Sequence, residues 1–189
     1  MSQEKLVWVD IETTGLDPDK DLILELGIVV TDSNLDVVNQ QSWIFVPYMD
    51  KSILDITPAV VEMHTKNGLW LEWSSNANAS ERDHLDENDD VISDVRLFLE
   101  EAGALGLPMA GSTVHFDRKF LQAHFPEIHR LFHYRNIDVS TIKNLARIYR
   151  PKLYESAPLP REKTHRPLAD LRDSIAELRH YLEGMKWML

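Results

Sequence analysis

The sequence contains no cysteine, which excludes disulfides, thiolate nucleophiles and thiolate-bound zinc. Any metal it holds must sit on carboxylate, histidine or carbonyl groups, and an oxygen-rich set favours Mg²⁺ or Mn²⁺. There is also no run of about 18 or more apolar residues, the length that spans a bilayer. Met1 to Lys5 lead straight into an apolar stretch without the regions of a signal peptide, so a soluble, cytoplasmic protein with no membrane partner is expected. Positive charge is scarce: Lys and Arg number 20 against 31 Asp and Glu, a formal net charge of −11. Tight, sequence-blind binding of long DNA needs a basic face and is not expected. A short anionic substrate held by a few cationic groups and metal ions is compatible with this balance. The 189 residues and 43% hydrophobic content fit a single domain spanning 1–189 with a sizeable core.

One stretch carries an unusual charge pattern. Leu6-Val7-Trp8-Val9 reads as a buried strand and runs into Asp10-Ile11-Glu12-Thr13-Thr14-Gly15. Side chains alternate between the faces of a strand, so Asp10 and Glu12 project on the same side, roughly 6.5 Å apart along the chain. Two like charges beside a hydrophobic core are costly unless a cation lies between them or one is protonated. Alone, such a pair more often marks a strand reaching solvent.

Further along, Leu22 to Thr31 and Val37 to Val46 read as two more strands, giving an antiparallel meander that Pro47 ends. Thr57-Pro58 opens a helix carrying Val60, Val61 and His64, closed by Asn67-Gly68. Leu69 to Asp90 turns polar and reads as a partly helical surface excursion, with Asp90 capping a helix that bears Val91, Val95, Phe98 and Leu99. A short strand from Leu107 to Val114 precedes a helix from His115 that stops before Pro126, and Glu127 to His133 reads as a second helical piece. Asn136 to Val139 is another strand, Ser140 the cap of the next helix, and Pro151, Pro158 and Pro160 mark an irregular loop. The last helix starts near Pro167, with Leu168, Leu171, Ile175, Leu178 and Leu182 on one stripe. The order predicts an α/β fold with a mixed sheet flanked by helices.

Asp117 begins a helix just after a strand, and Asp170 lies in the first turn of the last helix; either alone is an ordinary macrodipole partner. His165 sits on the loop entering that helix. Together they place four carboxylates and one histidine at element ends, which in α/β folds converge on one edge of the sheet. Two divalent ions about 3.5–4 Å apart would neutralise such a cluster and drive in-line displacement at phosphorus. A histidine is suited to take the proton of the attacking water. The chemistry implied is metal-assisted phosphodiester hydrolysis.

Asp10-Ile11-Glu12-Thr13-Thr14-Gly15-Leu16, Asp117-Arg118-Lys119-Phe120-Leu121 and His165-Arg166-Pro167-Leu168-Ala169-Asp170 resemble the three exonuclease motifs of the DnaQ-like DEDDh superfamily. Met63 to Leu69, Phe132 to Arg135 and Ile137 to Lys143 are similar to segments of the oligoribonuclease family, so the likeness spans nearly the whole chain. The resemblance implies a ribonuclease H-like fold and 3′-to-5′ removal of nucleotides from very short RNAs, down to the dinucleotide. It assigns Asp10, Glu12 and Asp170 to one metal, with Asp10 bridging to a second ion that Asp117 supports, and makes His165 the general base. Leu16 would wedge against the bases and His64 stack on them, the Thr113 hydroxyl would contact the substrate, and Arg135, Ser140 and a partner subunit's tyrosine at the position of Tyr134 would cap the 5′ phosphate, which implies a homodimer. Departures from the family pattern fall at Thr13, at Gly111-Ser112-Thr113, at His115-Phe116 and at Pro167. A proofreading-type DNA exonuclease and a noncatalytic nucleotide-binding module on the same fold stay open as alternatives.

Overall fold

The computed structural model describes residues 4–46, 56–78, 84–158 and 164–185. Pro47, Pro160 and residues 79–83 of the polar stretch lie outside them. Three strands come first: β1 (Lys5–Thr13), β2 (Ile23–Asp32) and β3 (Val37–Ile44). Helices α1 (Pro58–Lys66), α2 (Leu69–Asn78) and α3 (His84–Glu101) precede β4 (Pro108–Gly111). Then follow α4 (His115–His124), α5 (Pro126–His129), β5 (His133–Asp138), α6 (Val139–Tyr149), α7 (Pro151–Glu155) and α8 (Pro167–Gly184). The strands form one sheet in the order β3-β2-β1-β4-β5. β1, β2 and β3 are antiparallel neighbours, while β4 runs parallel to β1 and β5 parallel to β4, as the mixed-sheet expectation required. Among the described residues no helix is long and apolar enough to cross a membrane.

The period-two logic of β1 divides the core. Val7, Val9 and Ile11 pack with Leu99, Phe120 and Ile128 on one side of the sheet. Trp8 faces the other side, against Val139, Leu171 and Leu178 from α6 and α8. Asp10 and Glu12 continue the Trp8 face, so the strand that anchors the core delivers both acids to its end. Two glycines allow the close approaches this requires. A Cβ on Gly27 would collide with the Pro167 ring, and one on Gly111 would sit 2.9 Å from the Val9 carbonyl oxygen.

Several local expectations change. The stretch after Gly68 is not only a surface excursion: Leu69 and Trp73, one turn apart on α2, are buried with Leu22 and Leu24 in a third cluster. Its Ser- and Asn-rich composition hid an apolar pair at helical spacing. α3 begins at His84, so Asp90 lies inside the helix and is not its cap. Within the same acidic segment, buried Asn88 donates to the Val46 carbonyl at 3.2 Å and accepts its N–H at 3.1 Å. The expected helix up to His133 ends at His129, because the His133 N–H is drawn onto the Leu107 carbonyl and starts β5. α6 is capped by Asp138, whose carboxylate accepts the Ser140 N–H at 2.9 Å, and Ser140 sits in the first turn. The loop expected after Pro151 contains α7, started by that proline at a position where a missing N–H costs nothing. β4 stops at Gly111 because the chain turns at Thr113, which has φ +63°.

Candidate active site

Asp10 and Glu12 stand opposite Gly27 and Glu25 of β2 in the antiparallel ladder. β1 pairs with β4 only at Val7 and Trp8, so the strand edge beyond is open. Asp117, in the first turn of α4, fills that opening and accepts the Ile11 N–H at 3.0 Å. Asp170 enters from the first turn of α8, and His165 from the loop before it with φ +48°. One ligand atom from each of Glu12, His165 and Asp170 lies within 4.8 Å of the others. Asp10 joins them by charge. Burial, then Asp117, Glu12 and Asp170, push its carboxyl well above the ordinary value. Burial first, then Asp170 and Glu25, raise Glu12 to about 8. Burial raises Asp117 to about 7, against the pull of its own N–H and that of Ile11. Buried acids that hold protons at neutral pH are relieved by a divalent cation, and hard oxygen donors beside one imidazole suit Mg²⁺ or Mn²⁺, so this donor set fits such an ion.

A cleft of about 310 Å³ opens beside these acids, lined by Asp10, Ser112, Thr113, Lys143, Asp170 and Glu177 among others. The Thr113 and Ser140 hydroxyls share a hydrogen bond of 3.0 Å, and the Asp138 carboxylate accepts the Thr113 N–H at the same distance. Leu16 is 83% exposed just past β1. Tyr134 and Arg135 are exposed on β5, the edge strand, with the guanidinium 5.4 Å from the ring centre. Arg135 lies three residues before the Asp138–Gly111 pairing, so it is set back by about 10 Å along the strand.

His64 is turned inward: its side chain is buried, with Nε2 3.2 Å from the Thr13 carbonyl and 3.9 Å from the Glu12 carboxylate. Helix α1 packs inward, and burial pushes the imidazole below its ordinary pKa.

Some residues around the site had escaped attention. Arg166 is forked between buried Glu25 and Glu72 of α2, and Asn67 holds the backbone of Thr164 and His165. A lone acid inside the apolar run Leu22-Ile23-Leu24-Glu25-Leu26 was the available signal for Glu25. The departures are accommodated. The Thr13 hydroxyl donates to the Gly15 carbonyl at 2.6 Å, Ser112 meets Ser174 at 2.9 Å, Phe116 packs onto the core, and Pro167 nests over Gly27.

Residues 7–178 match the exonuclease family of the RNase T type. The oligoribonuclease of Photorhabdus laumondii is 38% identical over 185 residues, covering 96% of both chains. That of Aromatoleum aromaticum is 38% identical over 183 residues, covering 96% of this chain and 94% of its own. The chain belongs to the oligoribonuclease family of exonucleases. It is therefore a nuclease. Solved structures agree on the fold. Exonuclease I of Methylocaldum szegediense superposes with a TM-score of 0.62 at 19% identity, over 96% of this chain and 41% of that one. The zinc-bound exonuclease I–ssDNA complex of E. coli gives 0.65 at 15%, over 98% and 42%. The five-stranded mixed sheet with flanking helices is thus the ribonuclease H-like fold.

Proposed function

We propose that this oligoribonuclease-family member is a single-domain, cytoplasmic 3′-to-5′ exoribonuclease that cuts very short RNAs, dinucleotides in particular, to mononucleotides. The observation that carries the reading is the convergence of Glu12, His165 and Asp170 within 4.8 Å, next to the mutually repelling Asp10 and Asp117. Asp10, Glu12, Asp117 and Asp170 would hold two Mg²⁺ or Mn²⁺ ions. When bound, such ions supply charge neutralisation at the phosphate and acidify water. His165 takes the proton from the attacking water at a ring nitrogen. Exposed Leu16 offers an apolar face for a base, which suits sequence-tolerant recognition of single strands. Thr113 and Ser140, already paired at the cleft, offer hydroxyls to the phosphate.

Arg135 supplies the cation for a 5′ phosphate, and Tyr134 serves the site of a second copy in a homodimer. Its 75% exposure, and that of Leu145, Ile148 and Tyr149 on the following helix, supports such a partner. The compact site explains how a chain of net charge −11 handles RNA without a long basic face. A time course on a labelled RNA dinucleotide with Mn²⁺, with and without chelator and beside longer RNA and single-stranded DNA, tests the reading. The dinucleotide should be cut fastest, and only with metal. Preference for a long substrate would point to a general exonuclease, and binding without cleavage to a nucleotide-binding module.

A further inference from the structure

His165 occupies a left-handed backbone conformation, φ +48°, that is uncommon for a residue with a side chain and that its surroundings help to hold. Two polar devices do so. Asn67, at the joint between α1 and α2, donates through Nδ2 to the carbonyls of both Thr164 and His165, at 2.9 and 2.6 Å. Its Oδ1 meanwhile accepts the Leu69 N–H at 3.0 Å and so caps α2. On the other side of His165, Arg166 meets both carboxylate oxygens of Glu72 at 3.0 and 3.2 Å. Its Nη2 also donates to buried Glu25 Oε1 at 3.2 Å, and its Nε lies 2.8 Å from Glu25 Oε2 as an ion-pair contact. Glu25 is the cross-strand partner of Glu12, so the fork is referenced to the strand that carries the acids. The backbone of Thr164 and His165 is therefore held from the α1–α2 joint, and the Arg166 side chain from α2 and β2.

We propose that Asn67 and the Glu72–Arg166–Glu25 fork are positioning residues: they form a clasp that fixes the His165 backbone so that its imidazole meets Glu12 and Asp170. The clasp rests on the reading of His165 as the general base, and it acts on the chemical step without contact to substrate. Loosening it should lower kcat and leave KM unchanged, since loss of orientation alone slows a positioned proton transfer.

Single-turnover and steady-state cleavage of an RNA dinucleotide with Mn²⁺, on the full chain, separates these roles for Asn67→Asp, Glu72→Gln, His165→Ala and the Asn67→Asp/His165→Ala double variant. Asn67→Asp keeps the acceptor that caps α2, removes the two donations to the loop and sets a carboxylate oxygen against both carbonyls in their place. Glu72→Gln alters an exposed partner and leaves the buried Glu25 ion pair in place. The expected result is a kcat loss of about tenfold to a hundredfold for Asn67→Asp, less for Glu72→Gln, with KM within about twofold. In the His165→Ala background Asn67→Asp should cost nothing further, because there is no imidazole left to orient. The clasp is overturned if Asn67→Asp retains wild-type kcat, or if it loses the same factor with and without His165, which marks a structural role. If His165→Ala itself keeps full activity, the general-base reading fails first and the clasp falls with it. Thermal melting of each variant guards against unfolding, and Glu72→Gln provides the readout should Asn67→Asp not fold.

Discussion

Around Asp10 the ionisable groups are buried or half-buried, crowded and fastened to four elements, whereas Tyr134 and Arg135 stand in solvent on an edge strand, beside each other and His133. The first region is built at a cost to the fold, since buried acids that repel one another are tolerated only for what they can bind. The second costs the monomer nothing, because exposed polar side chains contribute little to stability. On the proposed reading, a centre that holds metal ions needs the first kind of construction, and a surface that meets a flexible substrate or a second copy can use the other.

The largest effect should come from the crowded region. Asp10→Asn is expected to lower dinucleotide cleavage on the order of a thousandfold. In chelator its melting temperature should be no lower than that of the wild type, because a carboxyl that burial and four neighbouring acids penalise has been replaced by a neutral group. Loss of both activity and stability would mean that Asp10 supports the fold.

pH gives a second way to break the contrast. Glu12 ionises at its ordinary value in the unfolded chain but at about 8 in the fold, so the native state binds the proton that the unfolded state releases in between. Its contribution to stability is full at low pH and is lost as pH rises toward 8. Melting of the metal-free protein should therefore shift downward by several degrees between about pH 5 and pH 8. Saturating Mn²⁺ should flatten or reverse the trend, and an upward shift without metal would refute the charge crowding.

Gly27→Ala tests the packing beneath the His165 loop. The added methyl meets the Pro167 ring, and overpacking of this kind costs about 1–3 kcal/mol. Denaturant midpoints should fall accordingly and activity should fall with them. Smaller still are changes in the exposed region. Arg135→Ala and Leu16→Ala should leave stability within about 0.5 kcal/mol of wild type. Arg135→Ala should raise KM selectively for 5′-phosphorylated dinucleotide, and Leu16→Ala should raise KM a few-fold whatever the 5′ end. A Tyr134→Ala variant that remained a fully active monomer would remove the role of a second copy.

The alternation Trp8-Asp10-Glu12 was legible because strand geometry is local, and so were Pro58 and Pro167 at helix starts and the stripe on α8. The mixed sheet and the acids at its edge followed from element order. The burial of the helix after Gly68 was not legible, because Leu69 and Trp73 take their meaning from Leu22 and Leu24, more than forty positions away. Nor was the inward turn of His64, which depends on how α1 packs over Thr13. The sequence by itself determined that four carboxylates and a histidine stand at the ends of regular elements, since periodicity and caps act over a few residues. Only the tertiary structure decided which of them meet, that Glu25 crowds Glu12 from the next strand, and that Asn67 holds His165, and Glu72 holds Arg166, from about a hundred residues away. Such contacts form only when the whole chain has closed its core, and no local pattern encodes them.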